Sequence, residues 1–165
     1  MEQPLMKSTY VAFRAHALKK HGINAMLQSL CSHGIQRRFS VVELKTKQLT
    51  VVQVETLYEE HKGKSFFPKL VKSMTEGPVC LVRIEFPVYS EGDIKKFIAE
   101  FRKYVIGATD PNEALPGTIR FDFGDKDYYK KGESYNACHS PSSPEAIDRE
   151  LPMFFWLILL KNIRE

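Results

Sequence analysis

Three strings hold most of the side chains able to do chemistry: FFPKLVKSMTEGPV at 66–79, GATDPNEALPGTIRFDF at 107–123 and NACHSPSSPEAIDRE at 136–150. Between them lie a histidine with a carboxylate downstream, an arginine, hydroxyls and a pair of phenylalanines. A neutral imidazole is nucleophilic near pH 7, and the phosphoramidate it forms is labile enough to pass a phosphate onward. A guanidinium clamps two phosphate oxygens with planar donors, and an aromatic face stacks on any nucleobase. Taken singly, each residue also has an ordinary reading: a structural or surface histidine, a surface salt bridge, a core phenylalanine.

Taken together and in this order, the three strings resemble the nucleoside diphosphate kinase family over about Ser8 to Phe155. The resemblance implies an α+β fold, a ferredoxin-like βαββαβ sandwich whose antiparallel sheet is covered by helices, in a single domain over 1–165. It also implies ping-pong transfer of a terminal phosphate between nucleoside tri- and diphosphates through a phosphohistidine. His139 matches the family's nucleophile, Glu150 the glutamate that orients its ring, and Asn136 an asparagine that contacts the nucleotide. Arg120 and Thr109 match phosphate-binding residues, and Phe66 the phenylalanine on which the base stacks, with Phe67 assigned to the core. Tyr58 stands at the family's active-site tyrosine, with a half-buried helix tyrosine as the other reading. Mg²⁺ is expected as cofactor, held by nucleotide phosphates and water, so no protein metal ligands are assigned. The implied partners are nucleotides and copies of the same chain, a hexamer ahead of a tetramer, with neither membrane nor nucleic acid.

The sequence departs from the family pattern in several places. The usual K-P-D-G reads Arg14-Ala15-His16-Ala17, so Arg14 replaces a lysine that reaches the phosphates and the turn residues are lost. Two family arginines align with Lys64 and Lys103, which remain cationic without the bidentate fork. The usual H-G-S-D-S reads His139-Ser140-Pro141-Ser142-Ser143, which removes the hydroxyl that normally bonds the glutamate; Ser142 or Ser143 is the expected replacement donor. An extra charged stretch, GDKDYYKKGESY at 124–135, precedes Asn136. These departures keep open a second reading, a catalytically weak or inactive nucleotide-binding or scaffold relative. A nucleic-acid module is the third, and lacks the aromatic-interleaved sheet motif it would need.

The elements that must position these residues follow from periodicity and punctuation. Strands are expected at Ser8–Arg14, Ile35–Leu44, Val79–Phe86 and Ser134–His139. Helices are expected at Ala17–His33 (stopped by Gly34), Thr50–His61, Phe66–Met74 and Asp93–Val105, and from Pro144 behind a cap at Ser142 or Ser143. Gly107 to Gly132 reads as a long surface loop. At 165 residues, 43% of them apolar, the chain supports one well-buried domain. Residues 1–50 carry eight Lys/Arg against two Asp/Glu, within a net charge of +4, which suits a phosphate-bearing partner. Cys31, Cys80 and Cys138 are an odd number with no paired spacing, which points to a reducing compartment. The longest apolar run, Met153 to Leu160, is far short of a bilayer span, and a cytoplasmic location is expected.

Overall fold

The computed structural model describes residues 3–132 and 134–155. Four strands, β1 (Leu5–Phe13), β2 (Ser40–Lys47), β3 (Val79–Val88) and β4 (Cys138–His139), form one sheet in the order β2-β3-β1-β4. Every pairing is antiparallel, with Val11 opposite Val82 and Ala12 opposite His139. Helices connect them: α1 (Ala15–His21), α2 (Ile23–Arg37), α3 (Val51–Leu57), α4 (Phe67–Thr75), α5 (Glu91–Phe101), α6 (Ile119–Phe123), α7 (Lys126–Lys130) and α8 (Pro144–Phe154). This is the ferredoxin-like α+β arrangement, with added helices.

Both faces of the sheet are covered over the second half of β1, so Tyr10–Phe13 is a continuous buried run in which alternate residues serve different cores. Val11 and Phe13 join Met26, Leu30, Val82, Ile84 and Phe86 on one face. Tyr10 and Ala12 join Leu57, Leu70, Leu81, Ile147 and Phe154 on the other. Local caps set the helix starts: Thr50 and Gln53 form a capping box on α3, Ser90 and Asp93 another on α5, and the Ser143 hydroxyl accepts from Ala146 N–H on α8.

Several boundaries differ from the sequence reading. The first long helix is two, separated at Gly22, and the second runs through Gly34 to Arg37, so the strand expected from Ile35 starts only at Ser40. Gly34 is there for close approach rather than to stop the helix: a Cβ on it would lie 2.6 Å from the Phe39 carbonyl oxygen. The stop is Arg38, in the left-handed region at φ 56°. The helix expected to Val105 ends at Phe101 and continues as one π-helical turn, Arg102–Ile106. The long loop contains two short helices, α6 and α7, capped by Thr118 and Asp125. Only Cys138–His139 of the last expected strand pairs. Among the described residues, no helix is long and apolar enough to cross a membrane.

Candidate active site

His139 is placed by the pleat. It lies opposite Ala12, so it shares the face of Tyr10 and Ala12, while its neighbour Cys138, opposite Phe13, goes into the other core. Burial pushes the Cys138 thiol pKa up, which leaves it an inert core residue. The backbone before the pair is strained: Ala137 has φ 75°, and its carbonyl accepts from Arg14 N–H at 2.8 Å.

Facing His139 is the inner side of α8, where Ala146, Ile147, Glu150, Leu151 and Phe154 are buried at helical spacing. Glu150 therefore points into the protein, and His139 Nε2 lies 2.7 Å from Glu150 Oε2. A carboxylate is acceptor only, so Nε2 carries the hydrogen and Nδ1 is left with its lone pair. Tyr10 Oη donates to the same oxygen at 2.9 Å, and Arg149 Nη2 donates to Oε1 at 3.2 Å. Burial by itself raises the Glu150 pKa. The hydrogen bonds from His139 and then Tyr10, with the nearby charge of Arg149, outweigh it and hold the carboxyl below its ordinary value.

The histidine opens into a cleft of about 510 Å³ that is also lined by Arg14, Tyr58, Phe66, Arg102, Thr109, Arg120 and Asn136. Tyr58 caps the end of α3, and its ring meets that of His139 edge-on, centroids 4.9 Å apart. Burial, chiefly, pushes its hydroxyl pKa up to about 12, so it is a donor at neutral pH. Phe66 sits at the mouth, 45% exposed, beside His61, whereas Phe67 turns into the core. Asn136 Nδ2 donates to the Thr109 carbonyl at 3.2 Å, tying two walls together.

Three guanidiniums enter the cleft. Arg14 caps α1 directly after β1 and is 1% exposed; its Nη1 donates to Asn136 Oδ1 at 2.8 Å and its Nη2 to Ser73 Oγ. Arg120 donates to the carbonyls of Gly107 at 3.2 Å and Cys138 at 3.1 Å. Gly107 is obligatory there, since it combines φ +94° with a Thr118 hydroxyl 2.5 Å from where a Cβ would stand. Arg102 donates to the Ser140 carbonyl at 3.2 Å. Among the described residues, no carboxylate forms an ion pair with any of the three. The Nε atoms of Arg14 and Arg120 are buried without a hydrogen-bond partner. Buried cations held by neutral acceptors, with donors to spare, make a site for an anion.

The structure thus brings together His139, Glu150, Tyr58, Arg14, Phe66, Thr109, Arg120 and Asn136. Two cationic residues singled out from sequence are elsewhere. Lys64 stands beside the mouth, its Nζ 3.1 Å from His61 Nδ1. Lys103 lines a neighbouring groove, and Arg102 enters the cleft instead, at the start of the π turn. The expected replacement donor to Glu150 is also corrected: Ser143 is occupied as the cap of α8, Ser142 lines the cleft, and the hydroxyl on Glu150 belongs to Tyr10. A tyrosine leading the apolar run Val11-Ala12-Phe13 on an expected strand was the available signal, because a buried phenol needs a partner. Arg102 had none, since a π turn is not legible in periodicity.

Comparison with known proteins shows what the whole chain is similar to. The family model described as nucleoside diphosphate kinase matches residues 7–157. A nucleoside diphosphate kinase of Bdellovibrio bacteriovorus is 35% identical over 150 residues, covering 91% of this chain and 93% of its own. One from Saccharolobus solfataricus is 36% identical over 147 residues, covering 89% and 93%. Among solved structures, the Aquifex aeolicus nucleoside diphosphate kinase superposes with a TM-score of 0.69 at 30% identity, over 92% of this chain and 96% of the other. A halophilic nucleoside diphosphate kinase from Halobacterium salinarum, solved in complex with CDP, gives 0.69 at 25% identity, over 92% and 88%. The chain belongs to the nucleoside diphosphate kinase family.

Proposed function

We propose that this chain carries out the nucleoside diphosphate kinase reaction through Nδ1 of His139, in two half-reactions. The observation behind this reading is one cleft that pairs a histidine committed at Nε2 to Glu150 with three guanidiniums lacking carboxylate partners. Nδ1 attacks the terminal phosphorus, the bond to the leaving nucleoside diphosphate breaks, and its electron pair goes to the departing oxygen. No proton has to move, because Nε2–H stays on the ring and Glu150 balances the charge that forms there. Arg14, Arg102 and Arg120 neutralise charge on the phosphates, and Tyr58, Thr109 and Asn136 supply neutral donors and acceptors. Phe66, open at the mouth, stacks on the base without distinguishing one base from another.

The acidic side chains lining the cleft are Glu60 and Glu150, and Glu150 is engaged by His139, Tyr10 and Arg149. No group of three His, Cys, Asp or Glu able to hold a metal occurs among the described residues. That lining fits a Mg²⁺ ion held by phosphate oxygens and water, where it would offset phosphate charge. Assembly into a homo-oligomer, a hexamer ahead of a tetramer, belongs to the same proposal; it is supported by Val42 and Leu44, exposed on the edge strand β2, and a monomer's mass in sedimentation would overturn it. A cytoplasmic setting is proposed on the three free cysteines.

The experiment is incubation with γ-labelled ATP and Mg²⁺, beside His139→Ala, followed by addition of GDP. Label should appear on the wild-type protein only and move to GDP. Absence of label despite bound nucleotide contradicts the proposal and leaves a nucleotide-binding relative.

A further inference from the structure

His139 sits on a two-residue strand, followed at once by Ser140-Pro141-Ser142-Ser143, so little on its own segment fixes the ring. Glu150 does this from α8, and three donors hold Glu150: His139 and Tyr10 on Oε2, Arg149 on Oε1. Arg149 is 36% exposed and also reaches Glu60 at 3.8 Å, so solvent and a surface carboxylate compete for it. Tyr10 is 0% exposed, in the middle of the long pairing between β1 and β3, and its hydroxyl has no water to compete. Its ring lies 5.9 Å from that of His139 and 5.5 Å from that of Phe154, wedged between nucleophile and helix.

The register makes this arrangement specific. Ala12 pairs with His139 and sets its backbone, while Tyr10, two residues earlier on the same face, sets the carboxylate that receives its ring. Both references lie on one central strand. Burial, then the adjacent carboxylate, push the Tyr10 hydroxyl pKa well above its ordinary value, so it remains a donor.

We propose that Tyr10 is a positioning residue for His139: its hydroxyl locks the Glu150 carboxylate, which holds the imidazole as the Nε2–H tautomer with Nδ1 aimed into the cleft. This rests on His139 as the phosphate carrier. The Tyr10 hydroxyl touches neither nucleotide nor the transferred phosphate, and its effect falls on the phosphorylation step rather than on nucleotide binding.

The test is Tyr10→Phe, which keeps the ring and removes the hydroxyl, measured by single-turnover labelling from γ-labelled ATP with Mg²⁺ at several pH values, with ADP affinity by calorimetry. Labelling should slow by roughly ten-fold, the size of a hydrogen bond to a charged group, with ADP affinity unchanged. The acid limb of the rate profile should move to higher pH, since a carboxylate that loses a donor binds its proton more tightly. A packing role would not move that limb. In the Glu150→Gln background, Tyr10→Phe should have little further effect, because its route is gone. Wild-type protein that takes no label on His139 removes the proposed function and this inference with it. Wild-type protein that labels His139 while Tyr10→Phe labels equally fast, or while Tyr10→Phe slows Glu150→Gln as much as it slows wild type, overturns the inference alone.

Discussion

Arg14 and His16 stand where the family pattern has a lysine and an aspartate, and the exchange alters the charge around the cleft. An aspartate beside a buried guanidinium would pair with it, whereas His16 accepts the Ala137 N–H at 3.3 Å through Nε2 and stays neutral. Burial, then the charge of Arg14, lower the His16 pKa to about 3. The unfolded chain binds a proton at this residue from about pH 6.5 downward, and the folded chain only near 3. Stability therefore falls as pH drops through that window, by up to about 5 kcal/mol. His16→Gln keeps an acceptor for Ala137 without a titrating ring, so urea midpoints between pH 6.5 and 3 should decline less steeply than in wild type; parallel curves would contradict this. At this scale the sequence was informative where local strings carry the chemistry, as for His139, Glu150 and Arg120. It left open which group the Tyr10 hydroxyl meets and gave no sign of Arg102, since these depend on strand register and a π turn.

The elements were legible in kind and order, and less so at their ends. β1 and β3 stand out because each holds a four-residue apolar run buried on both faces, Tyr10–Phe13 and Val79–Val82, and the caps of α3, α5 and α8 are written in Thr50, Ser90 and Ser143. Gly34 misled because a glycine serves both to stop a helix and to admit a neighbour, and only the packing of Phe39 shows which applies. Gly34→Ala should lower stability by about 1–3 kcal/mol despite alanine's better helix propensity, because the Phe39 backbone has to shift. Thermal unfolding checks this, and an unchanged or raised Tm would show that α2 yields at no cost. The region read as one long loop holds α6 and α7, each five residues, too short for periodicity to show.

For the whole molecule, the cleft depends on the sheet being covered on both faces. The residue after β1 supplies Arg14, and Tyr10 within β1 holds Glu150 from behind; β4 supplies His139; α8 supplies Glu150; the segment after α5 supplies Arg102, Thr109 and Arg120. The site is a product of the complete fold, and its cationic lining agrees in sign with the chain's net charge of +4. On the proposed mechanism the fold commits Nε2 of His139 to Glu150 and leaves Nδ1 to carry phosphate. The most direct measurement is phosphorus NMR of the protein after reaction with ATP and Mg²⁺, resolving which imidazole nitrogen bears the group. Phosphate should appear on Nδ1 and be absent from His139→Ala; phosphate on Nε2, or on no histidine while nucleotide is bound, would overturn the mechanism.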